Sequence, residues 1–286
     1  MPGKTTLPER VSRGMALIAV LWIVAALSIM ATSALRAVRV ESRVIAQARQ
    51  ELEAQALGDG AIQMALQSIV AGQYPLDRMT LADISFHGVP MQVQIMPLNG
   101  LVDINMAGLP LLERLFVVAG GLPADVAQLT AKGVVQTREQ RDARGAAQRF
   151  LAEEDLLRVP GVDYDLYAKV EDLLTADLRG SGRVNPLAAP LGVLAVLAGG
   201  NTAVAAQIST ARDAGQVGVD TSALDGSLLD ASASRRIRVQ ARVPLMDGGY
   251  VRVSRSVDFD ARPPSGEPWQ TFRMSSRLEP VNRKKP

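Results

Sequence analysis

The sequence contains no cysteine and only one histidine, His87, among its 286 residues. Without cysteine the chain can form no disulfide and offers no thiol for redox or nucleophilic chemistry. A single histidine excludes multi-histidine metal sites and disfavours a histidine-centred catalytic triad. The net charge is only +2, which does not indicate a nucleic-acid partner. These absences disfavour several classes of enzyme.

Charge is also absent from a long apolar run, residues 15–35, with the sequence MALIAVLWIVAALSIMATSAL. At about 1.5 Å per residue a helix of this run reaches ~30 Å, the thickness of the hydrocarbon core of a bilayer. The preceding residues are basic at Lys4, Arg10 and Arg13. By the positive-inside rule we expect a single-pass protein of the inner membrane, with a cytoplasmic N-terminus and the bulk of the chain in the periplasm.

The residue that borders the run is Gly14, and it ends the basic leader 1–14. An ordinary secretory signal is cut after its apolar region, beside small residues in an A-x-A pattern. No such pattern is clear here. A cut before the apolar run would instead leave that run on the mature protein, although an ordinary signal anchor with a chance glycine is the alternative.

Basic leader, glycine and uncut apolar helix, in this order, resemble the type IV prepilin signal of pilins and pseudopilins. The resemblance implies cleavage by prepilin peptidase after Gly14 and N-methylation of Met15. Most pilins carry glutamate at the fifth position after the cut, where this chain has Ala19. A lone charge in a membrane is costly, and in the family the glutamate pairs with the amine of the subunit ahead. A subunit with no neighbour ahead needs no such glutamate, so Ala19 favours a tip position.

Residues 36–71 continue the helical pattern and are amphipathic, with Val38, Ile45 and Leu52 spaced by seven. No proline interrupts the chain between residues 15 and 73, so we expect one long helix that serves as an assembly spine. Gly58 and Gly60 are its predicted weak points. A membrane anchor with a coiled-coil stalk would produce the same pattern.

Alternating residues predict strands at 89–96, 236–245 and 250–259, with a hairpin turn at 246–249. The predicted fold is α+β: a small pilin-like antiparallel sheet, built from residues 72–100 and 219–261, with a large helical insertion at 101–218. Within the insertion we expect helical segments at 109–119, 123–132, 153–158, 164–178, 190–198 and 202–214. The proline-rich tail, residues 262–286, is predicted to be disordered.

Two parts of the insertion look like SAM-like or helix-hairpin-helix units, GLVDIN and EDLLRVPGV. Such hairpins suggest an alternative function, a membrane-anchored DNA receptor of the competence type. However, Asp163 replaces the second glycine of the phosphate-binding turn. Residues 151–177 also carry eight acidic residues against Arg158 and Lys169, a local charge of −6. That charge would repel phosphate, so we expect no nucleic acid and interpret these acids as a solvated face.

A second resemblance links LVDINMAGLPLLERLFVVAGG, LAEEDLLRVPGVDYDLYAKVEDLLTA and SGRVNPLAAPLGVLAVLAGGN to the type II secretion system protein K family. Together with the RGMALIAVLWIVAALS start, these segments span residues 13 to about 260. The resemblance implies a minor pseudopilin that joins the I and J types and the major pseudopilin at the pseudopilus tip. There it would help to begin assembly and to export folded proteins across the outer membrane.

The acidic loop residues Asp220, Asp225 and Asp230 raise the question of a metal. Their spacing of five lacks the alternate-position ligands and the closing glutamate of a calcium loop. Calcium held by acids that are distant in sequence is left as an open alternative. No reaction centre is apparent, so the sequence predicts neither an enzyme nor a bound cofactor.

Overall fold

The computed structural model describes residues 10–141, 145, 147–176, 180–246, 248–264 and 266–279. Within the first helix, the side chains of residues 10–16, 29, 31–40 and 42–44 lie outside this description. The chain divides into two compact units, Met1–Glu53 and Ala54–Pro286.

The first helix, α1, spans Arg10–Val70 without interruption, as the pattern predicted. In the first unit its described apolar side chains are exposed, Trp22 by 73% and Leu17 by 71%. No helix is long and apolar enough, over the residues described, to cross a membrane. The predicted span includes residues 15, 16, 29 and 31–35, which fall outside the described side chains.

In the second unit α1 packs on a sheet through a stripe of small and apolar residues that are almost fully buried. The stripe contains Ala54, Ala61, Ile62, Ala65 and Leu66. A Cβ on Gly58 would lie 2.6 Å from Val253 Cγ2, and one on Gly60 would overlap the ring of Phe86. The two glycines, interpreted from sequence as weak points, are therefore positions where the helix backbone approaches the sheet closely.

The sheet has five described strands, which are β1 Thr80–Phe86, β2 Val89–Pro97, β5 Arg236–Pro244, β6 Tyr250–Asp258 and β7 Gln270–Glu279. They are all antiparallel and lie in the order β1-β2-β5-β6-β7. Strand β2 and the β5–β6 hairpin confirm the predicted strands. Strand β1 was not predicted. The prediction of a disordered tail was wrong for β7, which pairs with β6 along its length.

The insertion lies between β2 and β5, and it is wider than the predicted 101–218. Its regular elements are β3 Val102–Asp103, α2 Leu109–Val118, α3 Ala124–Glu139, α4 Tyr164–Val170, β4 Leu174–Thr175, α5 Leu191–Leu197 and α6 Thr202–Asp213, with 3₁₀ helices at Leu98–Gly100, Glu153–Arg158, Glu171–Leu173 and Gly226–Leu228. Residues 219–235 were assigned to the sheet, but Leu224 and Leu228 are buried with the helices. The helix predicted at 164–178 ends early because β4 pairs with β3 in parallel.

Among the described residues of the second unit, buried apolar side chains form two separate cores. One core lies between α1 and the sheet, with Ile62, Val93, Val239 and Val253 at its centre. The other lies inside the insertion and contains Leu112, Phe116 and Leu194, with Met96 and Phe272 of the sheet packed into its edge. The sheet and the insertion are thus each stabilised mainly by burial of their own apolar surface.

We expect Gly58→Ala to destabilise the protein by about 1–3 kcal/mol, although Gly→Ala inside a helix normally stabilises by about 1 kcal/mol. The added methyl would meet Val253, a β-branched side chain with few alternative rotamers. Urea unfolding measures the change in the free energy of unfolding. Gly226→Ala is the control, because nothing lies within 4 Å of its added Cβ. A gain in stability for Gly58→Ala would contradict the close approach of α1.

Candidate functional site

The face of the sheet that points away from α1 is polar and rich in arginine. Side chains alternate along a strand, so Ile237, Val239 and Ala241 of β5 face α1 while the residues between them face the insertion. We call this surface the arginine face; its arginines are Arg238 and Arg242 of β5, Arg252 of β6, and Arg273 and Arg277 of β7.

The strand register places these arginines in two rows across the sheet. Arg242 pairs with Arg252, and Arg252 pairs with Arg277, which forms an outer row of three guanidinium groups. In the inner row Ser256 separates Arg238 from Arg273. Like charges directly opposite each other destabilise a sheet, so the outer row needs carboxylates nearby.

Two acidic dipeptides of the insertion supply carboxylates to these rows. Glu153 and Glu154, which begin one 3₁₀ helix, reach the inner row. Arg238 donates to Glu153 at 2.8 Å, and both side chains are nearly buried, 9% and 6% exposed. Arg273 binds both acids, with its contact to Glu154 at 2.5 Å.

The second dipeptide, Glu171 and Asp172, reaches the outer row. Arg252 donates to both oxygens of Asp172, at 2.9 and 3.0 Å, and Arg277 donates to both oxygens of Glu171. Glu279, at the end of β7, contacts Arg242 and Arg252. Burial lowers the pKa of Arg252, but Asp172 and then Glu279 reverse this effect and the pKa is raised.

The space between the arginine face and the insertion is a polar cleft with two pockets. One, of about 160 Å³, is lined by both dipeptides and by Ser254 and Ser275. The other, of about 400 Å³, is lined by Gln92, Gln94 and Gln240 and by the outer arginines Arg242 and Arg252. Tyr167 also lines the cleft; burial, followed by the charges of Glu154 and Glu171, raises its pKa to about 12.

This cleft corrects the interpretation of the acids in residues 151–177. The sequence pattern predicts a solvated face for Glu153, Glu154, Glu171 and Asp172, but they bind arginines of the sheet. Their partners lie 80 to 120 residues further along the chain. Four of the eight acids that give the local charge of −6 therefore form ion pairs with arginines of the strands.

At one end of the cleft lie the two segments that connect the insertion to the sheet, one after β2 and one before β5; we call them the stems. Two asparagines join these stems to the chain around them. Asn185 Nδ2 donates to the carbonyls of Asp77 and Ser232, and Asn99 Nδ2 donates to the same Ser232 carbonyl at 2.6 Å. The backbone amide of Asn185 also donates to the backbone carbonyl of Asn99. Segments that enter, cross and leave the insertion thus meet at one point.

In the fold, residues of the two hairpin-like motifs form a turn, a helix cap and hydrogen bonds to the backbone of neighbouring segments. Gly161 has a φ of 89°, as a tight turn requires, and Asp163 caps α4 by accepting from the Leu166 amide at 2.8 Å. A carboxylate thus lies at the helix end where a DNA hairpin would hold phosphate. In the other motif, the Asn105 side chain bonds to the backbone of Phe150 and Ala176.

The three loop aspartates form turns. Asp220, Asp225 and Asp230 each accept from the backbone amide of the serine two residues later, at 2.9, 3.1 and 2.9 Å. For Asp220 the bonds from Ser222 lower the pKa. No group of three or more acidic or histidine side chains in the described part of the chain is arranged to hold a metal.

The predicted leader and membrane residues are only partly described. Gly14 and Met15 lie within α1, but their side chains are outside the described set. Ala19 lies in the same helix and is exposed. The cleavage and methylation assignments therefore stay predictions.

No family model matches this chain, and no curated protein matches it. A similar solved structure is a chain of the GspK-GspI-GspJ complex from the type 2 secretion system of enterotoxigenic Escherichia coli. The TM-score is 0.51 and the identity 14%, and the match covers 83% of this chain and 99% of that chain. The chain has a GspK-like fold. At this identity the likeness extends to the fold alone, and it agrees with the α+β, pseudopilin-like fold with an antiparallel sheet that the sequence resemblance implied.

Within this GspK-like fold, the nearly buried pair Glu153–Arg238 and the exposed acid Glu154 allow a matched test. We expect Glu153→Gln to lower the free energy of unfolding by about 3–5 kcal/mol, because it leaves a buried guanidinium without its carboxylate. Glu154→Gln should cost only about 0–1 kcal/mol, since its side chain is 61% exposed. Urea unfolding of both variants compares them, and equal losses would contradict the burial of the inner row.

Proposed function

We propose that this protein is a minor pseudopilin of a type II secretion system that acts at the pseudopilus tip, in assembly and in export of folded proteins across the outer membrane. The observation that carries the proposal is the GspK-like fold, which matches 99% of a chain from a GspK-GspI-GspJ complex. The resemblance of the leader to a prepilin signal, which comes from a separate region, supports the same proposal.

The partners follow from the same observation. The matched chain was solved in a complex of GspK, GspI and GspJ. We expect this chain to join pseudopilins of the I and J types and to meet the major pseudopilin below them. Nucleic acid is not an expected partner, because the Asp163 carboxylate caps α4 at the helix end where a DNA-binding hairpin would hold phosphate. The proposed role is mechanical, and no enzymatic activity belongs to it.

The proposed location is the inner membrane, with the insertion and sheet in the periplasm. Prepilin peptidase would cleave after Gly14, and Met15 would become the methylated N-terminus. The described apolar side chains of α1 support this part of the proposal: from Leu17 to Met30 the large ones are 57–73% exposed. Exposed apolar surface of this extent is typical of a helix that packs among other helices or lipids.

The tip position has two supports. The insertion between β2 and β5 is broad, which suits a single copy at the end of a fibre better than a repeating subunit. Ala19 replaces the glutamate that repeating pilins use to neutralise the amine of the subunit ahead.

We expect Gly14→Ala to block maturation and secretion, because the peptidase must accommodate a residue with almost no side chain at this position. N-terminal sequencing of protein from native membranes, with and without prepilin peptidase, is the measurement. Gly3→Ala, also in the leader, is the control and should mature normally. A mature N-terminus at Met15 in the Gly14→Ala protein would contradict the prepilin assignment.

The tip position predicts that Ala19→Glu is neutral or harmful to pseudopilus assembly. With no subunit ahead, the new carboxylate would find no amine partner, and a lone charge in a membrane costs several kcal/mol, about 3 on insertion scales. Counting assembled pseudopili and measuring secreted protein tests this, with Ala25→Glu as a control for charge alone. A large gain in assembly from Ala19→Glu would argue against the tip.

A further inference from the structure

Apolar contact between the sheet and the insertion includes Met96 of β2 and Phe272 of β7, which pack against the core of the insertion near its stems. Farther from the stems, the cleft between the two parts is lined mainly by arginine, carboxylate, serine and glutamine side chains. At one end of this cleft the two stems are joined by the Asn99 and Asn185 hydrogen bonds. At the other end the outer row of arginines meets the 3₁₀ helix Glu171–Leu173.

We propose that these ion pairs form a releasable clasp that sets the orientation of the inserted domain, and that the domain turns on its stems when the clasp opens. The clasp is the set of pairs Arg238–Glu153, Arg273–Glu153, Arg273–Glu154, Arg252–Asp172 and Arg277–Glu171. Three of the five pairs are made by the C-terminal strand β7. This strand therefore binds acids of the insertion that lie more than 100 residues before it.

The distribution of burial along the clasp supports a hinge. Near the stems, Arg238 and Glu153 are nearly buried, 9% and 6% exposed. Farther along β5, towards Arg242, each pair has one exposed member: Asp172 is 57% exposed beside Arg252 at 27%, and Arg277 is 58% exposed beside Glu171 at 16%. These outer pairs, like Arg273–Glu154, are therefore screened by salt more easily than Arg238–Glu153, and they open before it.

The charge on the arginine face makes the opening of the clasp depend on salt concentration. When the insertion moves away, the three guanidinium groups of the outer row stay in register, with Glu279 as the carboxylate that β7 itself provides. Their mutual repulsion is relieved by dissolved anions, so higher ionic strength favours the open state. An interface built from apolar contacts would respond in the opposite direction.

The chain suits a direct measurement because it contains no cysteine. We would introduce Met64→Cys on α1 and Leu129→Cys on α3, which are 42% and 68% exposed, and attach a donor and an acceptor dye. Single-molecule energy transfer on the full chain, in a nonionic detergent, reports the distance between the sheet and the insertion.

At about 50 mM salt we expect one narrow distance population, and at about 1 M a second population that is roughly fivefold larger than at low salt. The double variant Arg252→Gln/Arg277→Gln should show the second population already at low salt. Arg114→Gln is the matched control: it removes an ion pair with Asp225 inside the insertion, so the distances should not change.

One narrow and unchanged population in high salt, and in the double variant, would overturn the proposal and show that the insertion is rigidly docked. Circular dichroism of each variant verifies that both parts remain folded. If the double variant fails to fold, Glu171→Gln replaces it, because this change opens the outer row from the side of the insertion. The salt titration of the unsubstituted protein decides independently.

Discussion

The structure depends on the alternation of side chains in β5, β6 and β7, because the two faces of these strands require different covers. Their apolar face is covered by α1, whose glycines and alanines allow close approach to the sheet. Their other face carries the two rows of arginines, which no apolar element could cover without burying unpaired charge. An acidic insertion between β2 and β5 meets this requirement.

The two faces contribute differently to the protein. Burial of apolar side chains in each core stabilises the sheet and the insertion separately. The ion pairs between them add little net stability where they are exposed, and even a buried pair is weak evidence for stability. They define the orientation of the insertion instead. Arg277 donates to the two oxygens of Glu171 from two nitrogens, a bidentate geometry that admits few orientations, and Arg252 Nη1 reaches both oxygens of Asp172.

This arrangement suits the role in assembly that we propose. A subunit at a pseudopilus tip would have to present its surface at a defined angle, and the insertion between β2 and β5 is the largest part of the second unit. In the sequence, the acids of the insertion suggest a surface that repels DNA. In the structure, four of them lie opposite the arginine face. The C-terminal strand completes that face, so the end of the chain contributes to the orientation of its middle.

Much of this architecture is present in local sequence patterns. The long helix, strand β2, the β5–β6 hairpin and the helical character of the insertion follow from period, turn residues and the absence of proline, which act between neighbours in the chain. Strands β1 and β7, the role of Gly58 and the partners of Glu153 and Glu171 do not follow from such patterns. The tertiary structure decided them, because a strand edge, a backbone contact or an ion pair between residues 80 to 120 positions apart exists only once the chain has folded.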